Sequence, residues 1–478
     1  MSLKRGEEAV VEVEAAAFKG KGVARHNGMA IFIPGAVPGD RVKVRITKRK
    51  KSYREARILE MLDPSEDRIK PRCRHASTCG GCTWQQLPYE KQLEYKEQQV
   101  RDHMERIGKL DPSIVETIIG CDEEFYYRNK MEYSFGTRRW LSRDEIEKDE
   151  YVDDKGFAAG LHAPGRFDKI LDLQECHLQH PVSFRILDQV RSWCIENGVP
   201  AYDTKAHSGF MRHLVVRTSK ANNELMVNLV TNGEDDHIVG KLASHLLNHF
   251  SEITTILNNI NDQRNPTAIG HTEKVLSGSG YITDSIGPWS FRISANSFFQ
   301  TNTSQAGKLY KIARSFCLDD EMSSKEIGSQ PKKLIYDLYC GVGSISLYLS
   351  DIAKKVVGIE LSDVAVDNAR INALLNETEN VHFLTGDMKD TLNDELINQH
   401  GMPDCLVTDP PRAGMHPDVV DRICRLKLPR VVYVSCNPST QARDLKTLSE
   451  VYQVDQVQPV DMFPQTWHIE SVARLSLK

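Results

Sequence analysis

Along the last third of the chain, short continuous apolar runs alternate with amphipathic stretches. They read KLIYDLYC, SISLYLSDI, KKVVGIEL, DVAVDNARINALLN, NVHFLTG, PDCLVTD, PDVVDRICRLK and RVVYVSC, closed by the strand-like YQVDQVQPV and SVARLSL. Strands apolar on both faces, interleaved with helices, predict a parallel, doubly wound α/β sheet, and such sheets bind ligands at the carboxyl ends of their strands. The start of the chain has a different rhythm. AVVEVEAAA, MAIFIPG, DRVKVRITKRK and REARILEML alternate with period two, punctuated by Gly28, Pro34, Gly35, Pro38 and Gly39, which predicts a small OB-like β-barrel.

Between these ends, Tyr89 to Leu110 reads as a helix. Ile114 to Ser290 reads as mixed α/β, with strands at YYRNKMEYSFGT, MRHLVVRTS and ELMVNLVTN and amphipathic helices at VSFRILDQVRSWCIENG and HIVGKLASHLLNHF. The run Ser294–Phe316 predicts a loop leading into a helix. The acidic run Asp144–Asp154 predicts an exposed loop, and LDDEMSSKEIGSQPKK a polar linker. The resulting division is a barrel over 1–62, a central α/β domain over 63–293 and the doubly wound domain over 294–478.

Composition changes this picture in two places. Hydrophobic content of 40% and charged content of 27% are those of a soluble globular protein, and without a membrane-length apolar run or a signal-peptide start a cytoplasmic monomer is expected. The net charge of -5 argues against a polyanion partner until its distribution is considered. Nine basic residues (Arg41, Lys43, Arg45, Lys48, Arg49, Lys50, Lys51, Arg54 and Arg57) face one acid, Glu55, in the barrel segment. Such a stripe is usually a solvated face, but on a small barrel it is also the footprint of a nucleic-acid binder. The pattern GAVPGDRVKV, a basic loop and ARILEML resembles the TRAM domain of RNA-modifying enzymes.

Eleven cysteines without export signals predict reduced thiols, some recruited for metal or catalysis. Cys73, Cys79 and Cys82 form C-x5-C-x2-C, with Gly80 and Gly81 letting the backbone wrap. A fourth ligand has to come from elsewhere, and Cys121, Cys176 and Cys194 are candidates. Cys176 sits in a polar, turn-like setting, whereas Cys194 reads as a helix core position. Spacing alone leaves zinc and a [4Fe-4S] cluster both open.

The strand ends carry the remaining chemistry. DLYCGVGSIS places Gly341 and Gly343 in a ligand-binding turn, but Ser346 replaces the third Gly of a dinucleotide fingerprint. Glu360 closes the second strand, where a carboxylate takes the hydroxyls of a ribose. A Gly turn and this acid, without phosphate-binding residues, favour S-adenosylmethionine over NAD or ATP. Asp409 in TDPPRAG stands at the same rim. VVYVSCNPST brings Cys436 out of a buried strand into a loop; a packed core cysteine is the ordinary reading of such a pattern, and only its neighbours argue otherwise. Arg128, Asn129 and Lys130 are weighed as RNA contacts against a salt-bridged surface.

Taken in order, the TRAM-like start, C-x5-C-x2-C, FFQTN, DLYCGVG, DPPRAG, SCNP and PQTWHIE resemble the RNA uracil-C5 methyltransferase family, over nearly the whole chain. Having both barrel and cluster cysteines makes the chain most similar to the 23S rRNA (uracil-5-)-methyltransferases. The resemblance implies a Rossmann-like methyltransferase domain with Gln300, Tyr339, Glu360 and Asp409 on S-adenosylmethionine. It implies Cys436 and Glu470 as catalytic residues, and Cys73, Cys79, Cys82 and Cys176 on a [4Fe-4S] cluster. The implied partner is RNA, 23S rRNA first and tRNA as the alternative, with no DNA and no membrane. A non-catalytic RNA-binding assembly factor is the rival from another class.

Overall fold

The computed structural model describes residues 3–76, 78–141, 145–146, 154–318 and 333–478. Most of the acidic run and the linker between Leu318 and Lys333 lie outside the described residues. Strands β1 (Glu8–Ala16), β2 (Lys21–His26), β3 (Met29–Pro34), β4 (Arg41–Arg49) and β5 (Tyr53–Asp63) close into a barrel of order β1-β2-β3-β5-β4. The inward half of each alternating strand fills it, with Val11, Val13, Ile31, Ile33, Val42, Val44 and Ile46 all buried. The basic stripe is partly used up by the barrel itself. Glu8 sits opposite Arg45 in the β1–β4 register and takes ion pairs from Arg45 at 2.6 Å and Lys43 at 2.9 Å. Arg54 is buried and donates to the carbonyls of Leu3, Lys50 and Tyr53. Arg41, Arg49, Lys50, Lys51 and Arg57 remain exposed.

Helix α1 (Tyr89–His103) follows, then a central seven-stranded sheet of order β12-β11-β10-β9-β6-β7-β8. Its strands are β6 (Lys130–Arg138), β7 (Lys155–His162), β8 (Ile170–Asp172), β9 (Met211–Thr218), β10 (Leu225–Thr231), β11 (Thr255–Ile260) and β12 (Thr272–Ser277). Helices α2 (Pro181–Glu196) and α3 (Asp236–His249) cover one face through Ile186, Val190 and Leu242 against Tyr133, Leu214 and Val227. Side chains alternate along β6 and β9, so Lys130, Glu132, Ser134, His213, Val215 and Arg217 occupy the opposite face. A hairpin, β13 (Tyr281–Ile286) and β14 (Trp289–Ser294), leads into α4 (Thr303–Cys317), capped by the Asn302 side chain on the Gln305 amide.

The last sheet has the order β17-β16-β15-β18-β19-β21-β20. It runs β15 (Lys333–Leu338), α5 (Ser344–Tyr348), β16 (Ala353–Glu360), α6 (Asp363–Leu375), β17 (Val381–Thr385), β18 (Cys405–Thr408), α7 (Pro417–Leu426), β19 (Arg430–Ser435), α8 (Pro438–Leu448), β20 (Tyr452–Val460) and β21 (Glu470–Leu477). The first five strands pair in parallel, as the apolar runs predict. The last two depart from a wholly parallel sheet: β21 is antiparallel to both β19 and β20. The connection from β20, residues 461–469, contains no helix and is too short for a parallel crossover, which takes about a dozen residues. It can only fold back as a hairpin.

That connection is tied down from a distance. Lys96 of α1, fully buried, donates to Asp461 at 2.7 Å and to the Phe463 carbonyl, while the Tyr89 hydroxyl donates to the other Asp461 oxygen at 2.9 Å. Gln92 and Gln465 exchange two further hydrogen bonds. Trp467 packs edge-on against Phe18 of the barrel at 4.9 Å, so α1, barrel and connection meet. No helix among the described residues is long and apolar enough to cross a membrane. Lys96→Met leaves Asp461 buried without its cation and is expected to cost about 3–5 kcal/mol, read as a lower urea midpoint.

Candidate active site

Two residues at one end of the antiparallel pair set the geometry. In the β19–β21 register Ser435 lies opposite Ser471, so Cys436, the next residue on one strand, and Glu470, the preceding residue on the other, flank the same rung. Gln441 of α8 holds that rung: its amide donates to the carbonyls of Tyr433 and Ser471, and its own oxygen accepts from the Ser471 hydroxyl at 2.6 Å. Asn437 caps α8 on the Ser439 amide and donates to the Arg412 carbonyl at 2.9 Å, joining the Cys436 turn to the Asp409 loop. Pro438 takes the first helical position, where its missing N–H costs nothing.

The site is rich in acid and poor in water. Glu470 is 6% exposed, and burial, then the neighbouring Asp409, raises its pKa well above the ordinary glutamate range. Asp409 is pushed up to about 7, mainly by burial and then by Asp337. Asp337, fully buried, is likewise raised to about 7 by burial, although the Ser346 hydroxyl donates to it at 2.5 Å. Burial, followed by the carboxylates of Glu470 and Asp409, pushes the Cys436 thiol up to about 12, with Arg412 pulling the other way. Arg412 is thus the charged side chain that favours the thiolate here, with a backbone hydrogen bond acting the same way. It also donates toward Nδ1 of His468 at 3.4 Å, an imidazole kept neutral by a pKa lowered to about 4 through burial and nearby cations.

Beside this cluster lies the turn after β15. Tyr339, Gly341 and Gly343 all have left-handed backbone, and a non-glycine such as Tyr339 adopts it only where the surroundings enforce it. A side chain built on Gly341 would meet nothing within 4 Å, so the turn opens onto free space, whereas one on Gly343 would strike Phe383. Glu360 faces this opening, its two carboxylate oxygens accepting from the amides of Gly341 at 3.1 Å and Ser362 at 3.0 Å. Ser344 hydrogen-bonds Tyr310 of α4, whose hydroxyl feels Asp409, Asp337 and Glu470. Gln300 stands just before α4; its carbonyl accepts from Asn129, and its side chain makes no hydrogen bond among the described residues.

Sequence reasoning missed two residues here and misplaced a third. Arg412 lies inside DPPRAG but carries no signal of its role until its charge meets Cys436. Phe298, 70% exposed in the loop before Gln300, is an aromatic ring left in water. Asn129 is neither an RNA contact nor a salt-bridged surface residue: it is 6% exposed and donates to the Gln300 carbonyl and the Thr303 hydroxyl, both at 2.8 Å. The loop folds over it, and burial of an amide demands partners of this kind.

Cys73, Cys79, Cys82 and Cys176 line one cavity of about 220 Å³. The Cys73 and Cys79 sulfurs accept from the amides of His75 and Gly81, each at 3.4 Å. Cys121 instead lies by Asn302, and Cys194 is fully buried in α2. Among the described residues no group of three or more His, Cys, Asp or Glu is placed to grip a single metal ion.

Comparison with known proteins fits this arrangement. The profile of the tRNA (Uracil-5-)-methyltransferase family matches residues 274–478, and that of the TRAM domain residues 2–59. An uncharacterized RNA methyltransferase of Bacteroides thetaiotaomicron is 42% identical, over 97% of this chain and 100% of its own length. Another from Chlorobaculum tepidum is 43% identical over 93% of this chain and 91% of its own. The chain belongs to the RNA uracil-C5 methyltransferase family. Among solved structures it is similar to the Pyrococcus abyssi tRNA (uracil-54, C5)-methyltransferase in complex with S-adenosyl-L-homocysteine, with 27% identity, coverage of 97% of this chain and 100% of that one, and a TM-score of 0.74. The methyltransferase fold and the N-terminal TRAM barrel are therefore both as the sequence predicts.

The buried acids of this methyltransferase have a cost that titration exposes. Asp409 ionises near 3.8 when exposed and at about 7 when folded, so the unfolded chain gives up its proton first and stability falls as pH rises through that window. Asp409→Asn is expected to melt higher than the parent at pH 8, by at most about 4 kcal/mol, with the difference gone at pH 4. Thermal melts at the two pH values check this.

Proposed function

We propose that the protein transfers a methyl group from S-adenosylmethionine to C5 of a uridine in RNA, with Cys436 as the nucleophile and Glu470 as the base. The observation that carries this reading is the shared rung of β19 and β21 that sets a thiol beside a buried carboxyl. C5 of uracil is a weak carbon nucleophile. Addition of the Cys436 thiolate to C6 turns the ring into an enolate that attacks through C5. After methylation the C5 proton has to leave before the thiolate is expelled, and Glu470, made a stronger base by its burial once ionised, accepts it; such a base contributes roughly 10²–10⁴-fold. Arg412 is the chain's own cation for lowering the thiol.

S-adenosylmethionine supplies an electrophilic methyl group on a positively charged sulfur. The residues present suit it: Glu360 faces the turn, Asp409 follows the end of β18 beside it, and the free space at Gly341 admits a ligand against backbone. Glu360 holds the ribose hydroxyls, while Tyr339, Gln300 and Asp409 complete the pocket. The target base has to be unstacked so that both faces of C5–C6 are open, and the exposed ring of Phe298 stands ready to stack where RNA enters.

The four cysteines suit a [4Fe-4S] cluster. They are an all-thiol donor set around one cavity, and the sulfurs of Cys73 and Cys79 accept hydrogen bonds from backbone amides, as cluster thiolates do. The substrate we propose is 23S rRNA, bound through the exposed cations of the barrel by a cytoplasmic monomer. A second reading, tRNA, is favoured by the full-length likeness to the Pyrococcus abyssi tRNA enzyme.

Cys436→Ala is expected to abolish methyl transfer to unmodified 23S rRNA and tRNA transcripts, and mass analysis of the labelled nucleoside to give 5-methyluridine in only one of them. Glu470→Gln is expected to slow turnover by about 10²-fold or more and to accumulate RNA covalently held on the protein in denaturing gels. Unchanged methylation in Cys436→Ala defeats the proposal. Anaerobically purified protein is expected to be brown, with about four iron and four sulfide per chain, both lost in Cys176→Ser; a colourless protein with one zinc overturns the cluster.

A further inference from the structure

The central sheet carries a second opening that none of the chemistry above uses. It is a cleft of about 740 Å³, floored by Ser134 and His213, walled by Tyr202 and rimmed by Phe167, Arg166 and Arg264. The Phe167 ring is 67% exposed, so a flat face is open to a planar partner beside the exposed cations Arg166 and Arg264. Arg166 and Arg264 are exposed, and no Asp or Glu among the described residues lines the cleft. The nearby Asp168 is already paired with Lys205. Arg212 builds the wall: it stacks on Tyr202 at 4.4 Å and donates to the carbonyls of Asn261, Gln263 and Asn265. His213, 6% exposed, bonds the Ser134 hydroxyl through Nδ1 at 3.2 Å, leaving Nε2 without a protein partner among the described residues.

The cleft is joined to the active site by one sheet face. Ser134 pairs with His213, Glu132 with Val215 and Lys130 with Arg217, all pointing the same way, with Lys130 and Glu132 paired to each other at 3.5 Å. Arg217 then donates to the carbonyls of Ala295 at 3.2 Å and Ser297 at 2.5 Å, fixing the loop that presents Phe298 and Gln300. Four residues of strand, about 14 Å, separate the floor of the cleft from that loop.

We propose that this cleft binds a splayed nucleotide of the RNA substrate, one flanking the target uridine, with its base stacked on Phe167 and its phosphates on Arg166 and Arg264. The proposal rests on the RNA-methylating reading and extends it. Aromatic platforms beside cations are the general means of holding single-stranded RNA, and His213 Nε2 and the Ser134 hydroxyl offer polar groups to a base edge.

The test uses the full chain and a fluorescein-labelled single-stranded RNA of about 12 nucleotides. Phe167→Ala is expected to weaken binding by about 5- to 150-fold. Arg166→Ala/Arg264→Ala is expected to reduce the slope of log Kd against log salt by about 1.4. On a transcript that is methylated, Phe167→Ala raises KM and leaves kcat near the parent value. Parent-like affinity and salt slope in both variants overturn the cleft. So does AMP that binds the parent at millimolar concentration and not Phe167→Ala while the RNA affinity of Phe167→Ala equals the parent's, which assigns the cleft to free nucleotides. Because the binding arm needs no turnover, absence of 5-methyluridine with weakened binding in Phe167→Ala defeats the proposed reaction and spares the cleft.

Discussion

Everything at the active site depends on one antiparallel pairing, that of β21 against β19, where a five-strand parallel sheet gives way to a closing hairpin. A parallel neighbour of β19 would begin its strand at the opposite end of the sheet, far from Cys436. Because β21 runs the other way, its first residue, Glu470, meets the last turn of β19. The pairing is fixed to a single register, since a slip by one residue would turn Glu470 and every later side chain to the other face. Gln441 guards that register from the helix, and the buried Lys96–Asp461 pair guards it from the connection. The barrel enters the same argument, because Trp467 of the connection rests against Phe18.

The pairing also creates a burden. It gathers Glu470, Asp409 and Asp337 where water is scarce, and each carboxyl is held away from its ordinary ionisation by burial before any neighbour is counted. Such groups oppose folding at neutral pH, and shifts of this kind cluster at functional sites. A site that is acidic, dry and short of cations is complementary to a positively charged ligand and hostile to a thiolate. Cys436 therefore rests as a thiol, with Arg412 as its counterweight.

Much of this was legible in the chain. Apolar runs alternating with helices fix a doubly wound sheet, and the rule that ligands sit at strand carboxyl ends draws attention to Glu360 and Asp409; Tyr339 comes only from the family resemblance, and Cys436 stands out only through its neighbours. Cys176 was separable from Cys194 because helical periodicity places the latter in a core. What the pattern cannot carry is direction and distance. β20 and β21 look like any apolar strand, and only the length of their connection reverses them. Glu8 lies 37 residues from Arg45, so counting charges in a window overstated the free basic stripe. Asn129 looked like surface because the loop that buries it comes from the Gln300 segment, 171 residues on.

The distribution of charge reconciles a net acidic chain with an RNA substrate. Acidic side chains collect at the strand ends around Gly341, with Glu360 bonded to its amide. Exposed cations collect elsewhere, on the barrel at Arg41, Arg49, Lys50, Lys51 and Arg57, and beside the central sheet at Arg166 and Arg264. Such a distribution attracts a polyanion to the flanks rather than to the carboxyls at the centre. Net charge averages these two fields to a small number and hides both. Selection between bases then falls to shape and to the few polar groups at the bottom of the site, and affinity falls to the flanks.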